Sequence, residues 1–384
     1  MFLRRAWLEA RRAGRAGQDS ASEGGRVSDA EAGPPDGVRR AWSELEGGFE
    51  IEPGTTGLLH QTYRVNASGG SRFVLQRVSD VFSSAIQQNI AAVTRHLAAR
   101  GFGTFELVET NEGDLFRDLG SDGRWRLLTR LDGVSFDRLD SSRQARSAGA
   151  LVGRFHAALD DFDASLAPMG IPFRETALYR ERLVDAMARH GNHDRFADVA
   201  VLRERIEAGF AHLGAPPETR DRVIHADLKI SNVLFADASG PARDEAVALI
   251  DFDTLMRFPL HGEWGDAWRS WCNRRGEDER EAVFDLDVFS ASIEGFVEGF
   301  DRPIERAERD SLLEATERLA LELATRYATD ALNESYFAWD QARFERAAEH
   351  NLVRAEGQLS LFEAAQRGRS DRAEILEAVF PDAV

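Results

Sequence analysis

Residues 222–253 read RVIHADLKISNVLFADASGPARDEAVALIDFD. Three apolar runs of strand length lie inside: Val223-Ile224, Val233-Leu234-Phe235 and Ala246–Ile250. Gly, Pro, Asp and Ser separate them, which marks short strands joined by turns. Each run ends at a polar residue. His225-Ala226-Asp227 follows the first, Asn232 precedes the second, and Asp251 follows the third, nineteen positions after Asn232. A residue at a strand end sits where a loop projects its side chain away from the sheet.

Those residue types answer one chemical need. Phosphoryl transfer from ATP is mostly positioning and charge stabilisation. It needs a carboxylate near the acceptor hydroxyl, oxygen ligands for Mg²⁺, and a cation near the moving phosphate. Asp227 is expected to take or orient the hydroxyl proton, Asn232 and Asp251 to hold Mg²⁺, and Lys229 to stabilise the transferred charge. Lys229 is the only lysine among 48 basic residues, in a chain that otherwise uses Arg throughout. His225 is read as a brace for the loop. Asp253 is read as a further metal ligand, an acceptor contact or a solvated carboxylate.

Upstream, GLLHQTYRV (57–65) and RFVLQRV (72–78) flank the turn cluster 66–70 and form a β-hairpin. Ile86, Ile90, Val93, Thr94 and Leu97 recur at helical steps until Gly101. Strands fit 104–109 and 125–130. Residues 44–131 thus form a small mixed domain. Beyond Asp132-Gly133 the pattern is helical, with Ala148, Leu151, Val152, Phe155 and Leu159 on one face and further helices over 176–190, 199–213, 279–299, 303–333 and 344–366. The expected fold class is α+β: a β-rich N-lobe over 44–131 and a larger, mainly helical C-lobe over 132–384. Residues 1–43, rich in Gly, Ala, Ser and Arg with Pro34-Pro35, read as a disordered extension.

The composition narrows the partners. The chain has 384 residues and a net charge of −18, which disfavours nucleic acid and anionic membrane surfaces. No apolar run approaches spanning length. Cys272 is the only cysteine, so this chain alone builds no disulfide, zinc ribbon or iron–sulfur cluster. A cytoplasmic location is expected. The partner expected is a small-molecule acceptor.

The Asp227, Asn232 and Asp251 spacing resembles the catalytic loop and metal-binding Asp of the protein-kinase-like superfamily. The chain lacks G-x-G-x-x-G, V-A-I-K and A-P-E, which separates it from protein kinases. It is similar instead to small-molecule kinases of the aminoglycoside phosphotransferase and choline kinase type. The narrowest resemblance is to N-acetylhexosamine 1-kinases. It is carried by GLLHQTYRV, FVLQRV, NIAAVTRHL (89–97), HADLKISNVLF, LIDFDTLMRFPL, EWGDAWRSWCN (263–273), RYATDALNESYF (326–337) and EHNLVRAEGQLSL (349–361). The resemblance implies a bilobal kinase fold, ATP, magnesium and transfer to a sugar hydroxyl, in that family the anomeric one. Ala226 and Ser231 stand where the family usually has Asn, and the stretch between Asp253 and Trp264 is the chain's own.

The resemblance also implies further site residues. The loop from Gly57 to Thr62 would cover the phosphates. The backbone near Leu128 and Leu131 would meet adenine. The usual strand lysine is replaced by Gln76 or Arg77, of which alternation turns only one toward the nucleotide; Arg77 is favoured because guanidinium binds phosphate bidentately. Asp266 and Arg269, three apart on a helix, are read as acceptor contacts or as a structural ion pair. Arg326 and Tyr336 would line the acceptor site, with an Arg326–Asp330 surface pair as the alternative. Trp264, Trp268 and Trp271 are read as core ahead of a sugar platform. Two other readings remain: another acceptor (choline, an aminoglycoside or homoserine), with residues 277–281 supplying carboxylates for a cation, and a non-catalytic nucleotide-binding scaffold.

Overall fold

Alternating side chains build the first of two units. The computed structural model describes residues 33–54, 60–381 and 383, and this unit comprises the described residues up to Arg95 with Phe105–Leu131 and Ala167–Ile171. Its strands are β1 (Phe49–Pro53), β2 (Gln61–Ala67), β3 (Arg72–Val78), β4 (Leu107–Val108), β5 (Arg117–Asp118) and β6 (Arg124–Thr129). They form one antiparallel sheet in the order β1-β2-β3-β6-β4, with β5 also on β6. Tyr63, Val65, Phe73, Leu75, Trp125 and Leu127 point to one face, as two-residue periodicity requires, and share a core with Val38, Trp42 and Leu45.

That core corrects the expected boundary at residue 43. A short helix α1 (Asp36–Arg39) and a 3₁₀ turn (Ser43–Leu45) lie on the sheet, with Val38 and Trp42 fully buried. Val38, Trp42 and Leu45 are four and three residues apart and cover apolar surface that the sheet alone leaves in water. The Trp42 indole N–H donates to the Val108 carbonyl at 2.9 Å. Residues 1–32 lie outside the described residues.

The opposite sheet face carries Gln76 and Arg126 and meets the start of helix α2 (Ile86–Ala99), where Gln87 accepts from Arg126. The strand expected over 104–109 is only the two residues of β4, and β1 and β5 were not expected.

The second unit comprises His96–Thr104, Asp132–Leu166 and the described residues from Pro172 onward. Its helices are α3 (Ser142–Leu159), α4 (Thr176–Arg189), α5 (Phe196–Leu213), α6 (Leu260–Trp271), α7 (Leu286–Phe300), α8 (Arg306–Leu312), α9 (Ala315–Asn333), α10 (Ala347–Arg367) and α11 (Arg369–Val379). Two short antiparallel ladders interrupt them: β7 (Asp221–Ile224) with β10 (Met256–Pro259), and β8 (Val233–Phe235) with β9 (Ala246–Leu249). The α+β division is therefore observed, with a β-sheet N-terminal region and a mostly helical C-terminal region.

Helices α3 and α7 cross at backbone distance. A Cβ at Gly149 would lie 1.9 Å from the Ser292 carbonyl oxygen, and one at Gly295 1.9 Å from that of Arg146. Only glycine permits this approach. The span expected as one helix over 303–333 is two helices, α8 and α9, and the helix expected from 279 starts at Leu286 because the Asp285 side chain caps it by accepting from Val288 N–H. Helix α11 was not expected. No described helix is long and apolar enough to cross a membrane.

Candidate active site

The loop 225–232 leaves β7 and reaches β8 with its backbone held from behind by α6. Glu263 is wholly buried, and its carboxylate oxygens accept the N–H groups of His225 (3.0 Å) and Ala226 (2.9 Å). Two turns further on, Ser270 Oγ accepts from Ile230 N–H (3.1 Å) and Trp271 Nε1 donates to the Leu228 carbonyl (2.9 Å). Positions 263, 270 and 271 share a helix face because seven or eight residues are about two turns. Arg174 adds a fourth tie, donating from Nη2 to the Ala226 carbonyl at 2.6 Å.

These ties hold Ala226 at φ 65°, in the left-handed region. An L residue with a Cβ is disfavoured there by roughly 1–2 kcal/mol, partly offset by the entropy that glycine loses on folding. Ala226→Gly is therefore expected to stabilise the protein by about 0.5–1 kcal/mol, seen as a higher urea midpoint. A lowered midpoint would show that the methyl group contributes packing that outweighs the strain.

His225 is fully buried and spans the loop. Its Nε2 meets the Ile250 carbonyl at 2.8 Å and its Nδ1 lies 3.4 Å from Asp227 N–H. This is the bracing role expected of it. Ile250 N–H in turn donates to the Asn232 carbonyl at 3.0 Å, beside the Val233–Leu249 strand pair. Backbone bonds alone thus bring the segments bearing Asn232 and Asp251 side by side.

The side chains close the cluster. Lys229 Nζ donates to Asp227 Oδ2 at 2.9 Å. Asn232 Nδ2 donates to the Asp227 carbonyl (2.8 Å) and to Asp227 Oδ2 (3.1 Å), which leaves the amide oxygen as its acceptor atom. Burial works to raise the Asp227 carboxyl, but the Lys229 ammonium, with His225 and Arg269, outweighs it and holds the group below the ordinary carboxylate value. Burial likewise pulls Lys229 down, while Asp227 and Asp251 push it above its ordinary value. Asp227 is thus ionised and Lys229 charged at neutral pH. The Asp227 side chain keeps 28% of its surface exposed and Lys229 38%, so both remain reachable.

Asp251 adopts φ 69° at the start of a 3₁₀ turn, Phe252–Thr254. A carboxylate oxygen of Asp251 and one of Asp253 lie within 4.8 Å of each other. Asp253 is buried, which removes the solvated-carboxylate reading.

The residues expected to line an acceptor pocket divide. Asp266 and Arg269 pair at 3.1 Å, and Asp266 also meets Arg174 at 3.1 Å. The ion pair is observed, yet Asp266 Oδ2 is buried with no hydrogen-bond partner. Arg326 does not pair with Asp330. It donates to the Tyr336 hydroxyl at 2.9 Å and stacks on Tyr179, Tyr336 and Phe337, 5.1–5.5 Å from the ring centres. Asp330 instead accepts the N–H groups of Ser335, Tyr336 and Phe337, which fixes the loop presenting those rings. Trp264, Trp268 and Trp271 are buried and packed on one another, as core. The acidic stretch 277–281 is engaged by arginines: Arg269 on Glu277, Arg354 on Asp278, Arg343 on Glu279 and Arg275 on Glu281.

In the first unit, Gly57 lies outside the described residues. Thr62 Oγ1 accepts from Gln76 Nε2 at 3.2 Å. The preference for Arg77 is corrected: it is exposed, donates to the Asp122 carbonyl, and lies on the face opposite α2. Gln76 takes the α2 face, where its carbonyl oxygen accepts from Arg126 Nε (2.9 Å) and Nη2 (2.7 Å), and Arg126 Nη1 reaches Gln87 at 3.1 Å. A buried Arg126 on β6 thus joins Gln76 of β3 to Gln87 of α2, and Gln76 takes the strand position where the resemblance implies a lysine. Leu128 is buried in β6 and Leu131 follows it, half-buried; the N–H groups of Thr129 and Arg130 between them are taken by the Glu106 and Arg72 carbonyls.

Sequence reasoning missed Glu263, Ser270, Arg126 and Arg174. A signal existed for Glu263, which with Asp266 sets carboxylates among the apolar and tryptophan residues of one helix. None existed for Arg174, which precedes a helix in irregular chain.

Comparison with known proteins agrees with this architecture. A family model described as "Phosphotransferase enzyme family" matches residues 50–294. A homoserine kinase of Hyphomonas neptunium is 28% identical over 258 residues, covering 67% of this chain and 74% of that protein. Among solved structures, an aminoglycoside phosphotransferase from Alicyclobacillus acidocaldarius superposes with a TM-score of 0.56 at 17% identity, over 92% of this chain and 99% of that one. The amicoumacin kinase hAmiN, in complex with AMP-PNP, Ca²⁺ and Ami, gives a TM-score of 0.55 at 13% identity, over 83% and 91% of the two chains. The fold is protein-kinase-like, and the chain belongs to the phosphotransferase enzyme family of small-molecule kinases.

Proposed function

We propose that this protein transfers the γ-phosphate of ATP to a hydroxyl of an N-acetylhexosamine, at the anomeric position. The observation that carries the kinase reading is the Asp227 carboxylate held by Lys229 and Asn232, with the Asp251 segment tied to Asn232 through the backbone. Asp227 accepts or orients the proton of the acceptor hydroxyl. Lys229 stands within reach of charge on the transferred group. The donor set suits a hard cation: the Asn232 amide oxygen and the carboxylates of Asp251 and Asp253 are all oxygen ligands. Mg²⁺, when bound with ATP, would neutralise charge on the phosphates. ATP is supported by the AMP-PNP in the hAmiN complex. The loop Gly57–Thr62 and the backbone at Leu128 and Leu131 are assigned to the nucleotide, Arg77 is not, and the cytoplasm is assigned as the compartment because ATP is made available there.

The sugar reading rests on the motif resemblance and on the pocket chemistry. Asp266 offers a buried oxygen with no partner, and Arg326 is packed among three aromatic rings beside Tyr336. Hydroxyl-rich acceptors are recognised by such mixed hydrogen-bonding and ring surfaces. Choline and aminoglycosides lose support, because the acidic stretch that would bind a cation is engaged by arginines. Homoserine is the second reading. It is favoured by the homoserine kinase relatives, and Arg269 or Arg326 would face its carboxylate.

An acceptor panel decides. ADP formation is measured with N-acetylglucosamine, N-acetylgalactosamine, their 1-O-methyl glycosides and homoserine. Turnover on the free sugars and none on the glycosides is expected. Turnover on homoserine alone would replace the sugar reading and leave the kinase reading standing.

A further inference from the structure

Five non-glycine residues among those described have φ in the left-handed region, and three of them, Arg174, Ala226 and Asp251, lie in or against the cluster just described. Residues held there against the preference of an L side chain gather where the surrounding structure fixes them for a task. One bond joins two of the three: Arg174 Nη2 donates to the Ala226 carbonyl at 2.6 Å. Arg174 itself sits at φ 58°, in the irregular chain before α4.

That carbonyl belongs to the peptide joining Ala226 to Asp227. A trans peptide is planar, so its C=O and N–H leave by opposite edges. Arg174 holds the carbonyl edge, and His225 Nδ1 lies 3.4 Å from the N–H edge. Glu263 acts earlier in the loop, on the N–H groups of His225 and Ala226. Rotation of the 226–227 plane is the motion that swings the Asp227 side chain, and Arg174 is the shorter of its two restraints.

The guanidinium is itself held. Its Nη2 also meets Asp266 at 3.1 Å and its Nη1 meets Glu322 at 3.5 Å, while Thr176 Oγ1 donates to the second Glu322 oxygen at 2.5 Å. Its planar head lies 4.9 Å from the centre of the Phe173 ring. Arg174, Asp266 and Glu322 are all buried. Burying charges costs desolvation that offsets their attraction, so such a network adds little stability over an apolar contact. What it adds is direction, because a planar fork with two carboxylates on it aims its donors one way.

We propose that Arg174 is a positioning residue of phosphate transfer: held by Asp266 and Glu322, it fixes the Ala226–Asp227 peptide and thereby aims the Asp227 carboxylate at the acceptor hydroxyl. The inference rests on the kinase reading of Asp227. Arg174 is buried and acts through the loop, so its loss falls on kcat and leaves KM in place.

The test is Arg174→Gly in the full chain, with ATP and the acceptor that the wild type turns over. Glycine adopts the left-handed φ freely, which relieves the backbone as the side chain is lost. The deleted side chain lines a cavity of about 570 Å³ with exposed Ala177 and Ala211 on its wall, a route by which methylguanidinium can enter the vacated space. In Arg174→Gly kcat is expected to fall by about 100-fold, with both KM values within about threefold of wild type. Methylguanidinium is expected to restore kcat saturably, by about tenfold, and methylammonium, a cation without the fork, is expected not to. Arg174→Lys keeps the charge without the fork and is expected to stay below about one tenth of wild-type kcat; it carries the test alone if the glycine variant does not fold. A kcat within about threefold of wild type in either folded variant, a fall in kcat no larger than the fall in folded fraction read from urea curves, or equal response of folded Arg174→Gly to the two cations would overturn the inference. Hydrogen exchange gives a reading apart from catalysis. At residues 225–228 it is expected to speed up in Arg174→Gly and to return with methylguanidinium, while amides of α3 keep the wild-type rate. Exchange at 225–228 equal to wild type would overturn the positioning role, whereas a wild-type protein inert toward every acceptor would remove the kinase reading and leave this measurement standing.

Discussion

Asp227→Asn is expected to lower kcat by about 10²–10⁴-fold while the protein stays folded. The substitution keeps the shape of the side chain, and the amide oxygen still accepts from Lys229 and Asn232. What it removes is the negative charge and the proton acceptor. Those are the properties the reaction uses, because the acceptor hydroxyl loses its proton as the new bond to phosphorus forms. Wild-type Asp227 meets the requirement: Lys229, with His225 and Arg269, holds its carboxyl below the ordinary value against the opposing effect of burial, so it is ionised at neutral pH. The fold is insensitive because Asp227 is partly exposed and its own backbone is held by neighbours. Steady-state turnover with ATP and N-acetylglucosamine, beside a urea denaturation curve, checks both halves. Turnover within threefold of wild type would remove Asp227 from the chemistry.

Glu263→Ala has the largest expected effect on stability, a loss of about 3–5 kcal/mol, the range for breaking a buried charged network. Two buried N–H groups, those of His225 and Ala226, lose their acceptor, and His156, 3.3 Å from the carboxylate, loses its partner. Each orphaned buried donor costs about 1–3 kcal/mol. Because these bonds hold the catalytic loop, kcat is expected to fall too, although Glu263 is out of reach of any substrate. The sign of the pH dependence follows. Burial pushes the Glu263 carboxyl up, but His156, His225 and the Ala226 N–H together carry it below its ordinary value. Its contribution is therefore complete at neutral pH and is lost as pH falls through that lowered value, in the acid range below the usual carboxylate pKa. A denaturation midpoint equal to wild type in Glu263→Ala would contradict the clamp.

The legible part of the site was the part whose chemistry is carried by side chains at strand ends. Asp227, Asn232 and Asp251 are polar residues interrupting apolar runs, a pattern with few structural reasons. The supports were harder to read because they act on backbone. Any residue supplies an N–H for Glu263 to accept, so nothing at positions 225 or 226 announces the partner. Arg77 against Gln76 is a question of parity. Alternation states that they face opposite ways, but the contact of α2 with one sheet face, a non-local event, decides which way. Trp42 was lost in a stretch of Gly, Pro and Arg whose average composition hides three apolar residues on one side. The break between α8 and α9 at Leu313–Glu314 has no Gly or Pro to mark it. The fold class was visible because two-residue periodicity ends and helical periodicity begins near residue 132.

The most direct measurement of the central claim is phosphate transfer itself, followed by ³¹P NMR with ATP, Mg²⁺ and N-acetylglucosamine, in wild-type protein and in Asp251→Asn. The account predicts ADP and a sugar 1-phosphate signal growing together in the wild type and neither in the variant, with equal folded fractions. Undiminished transfer by Asp251→Asn, or ATP left intact by the wild type with every acceptor of the panel, would contradict it.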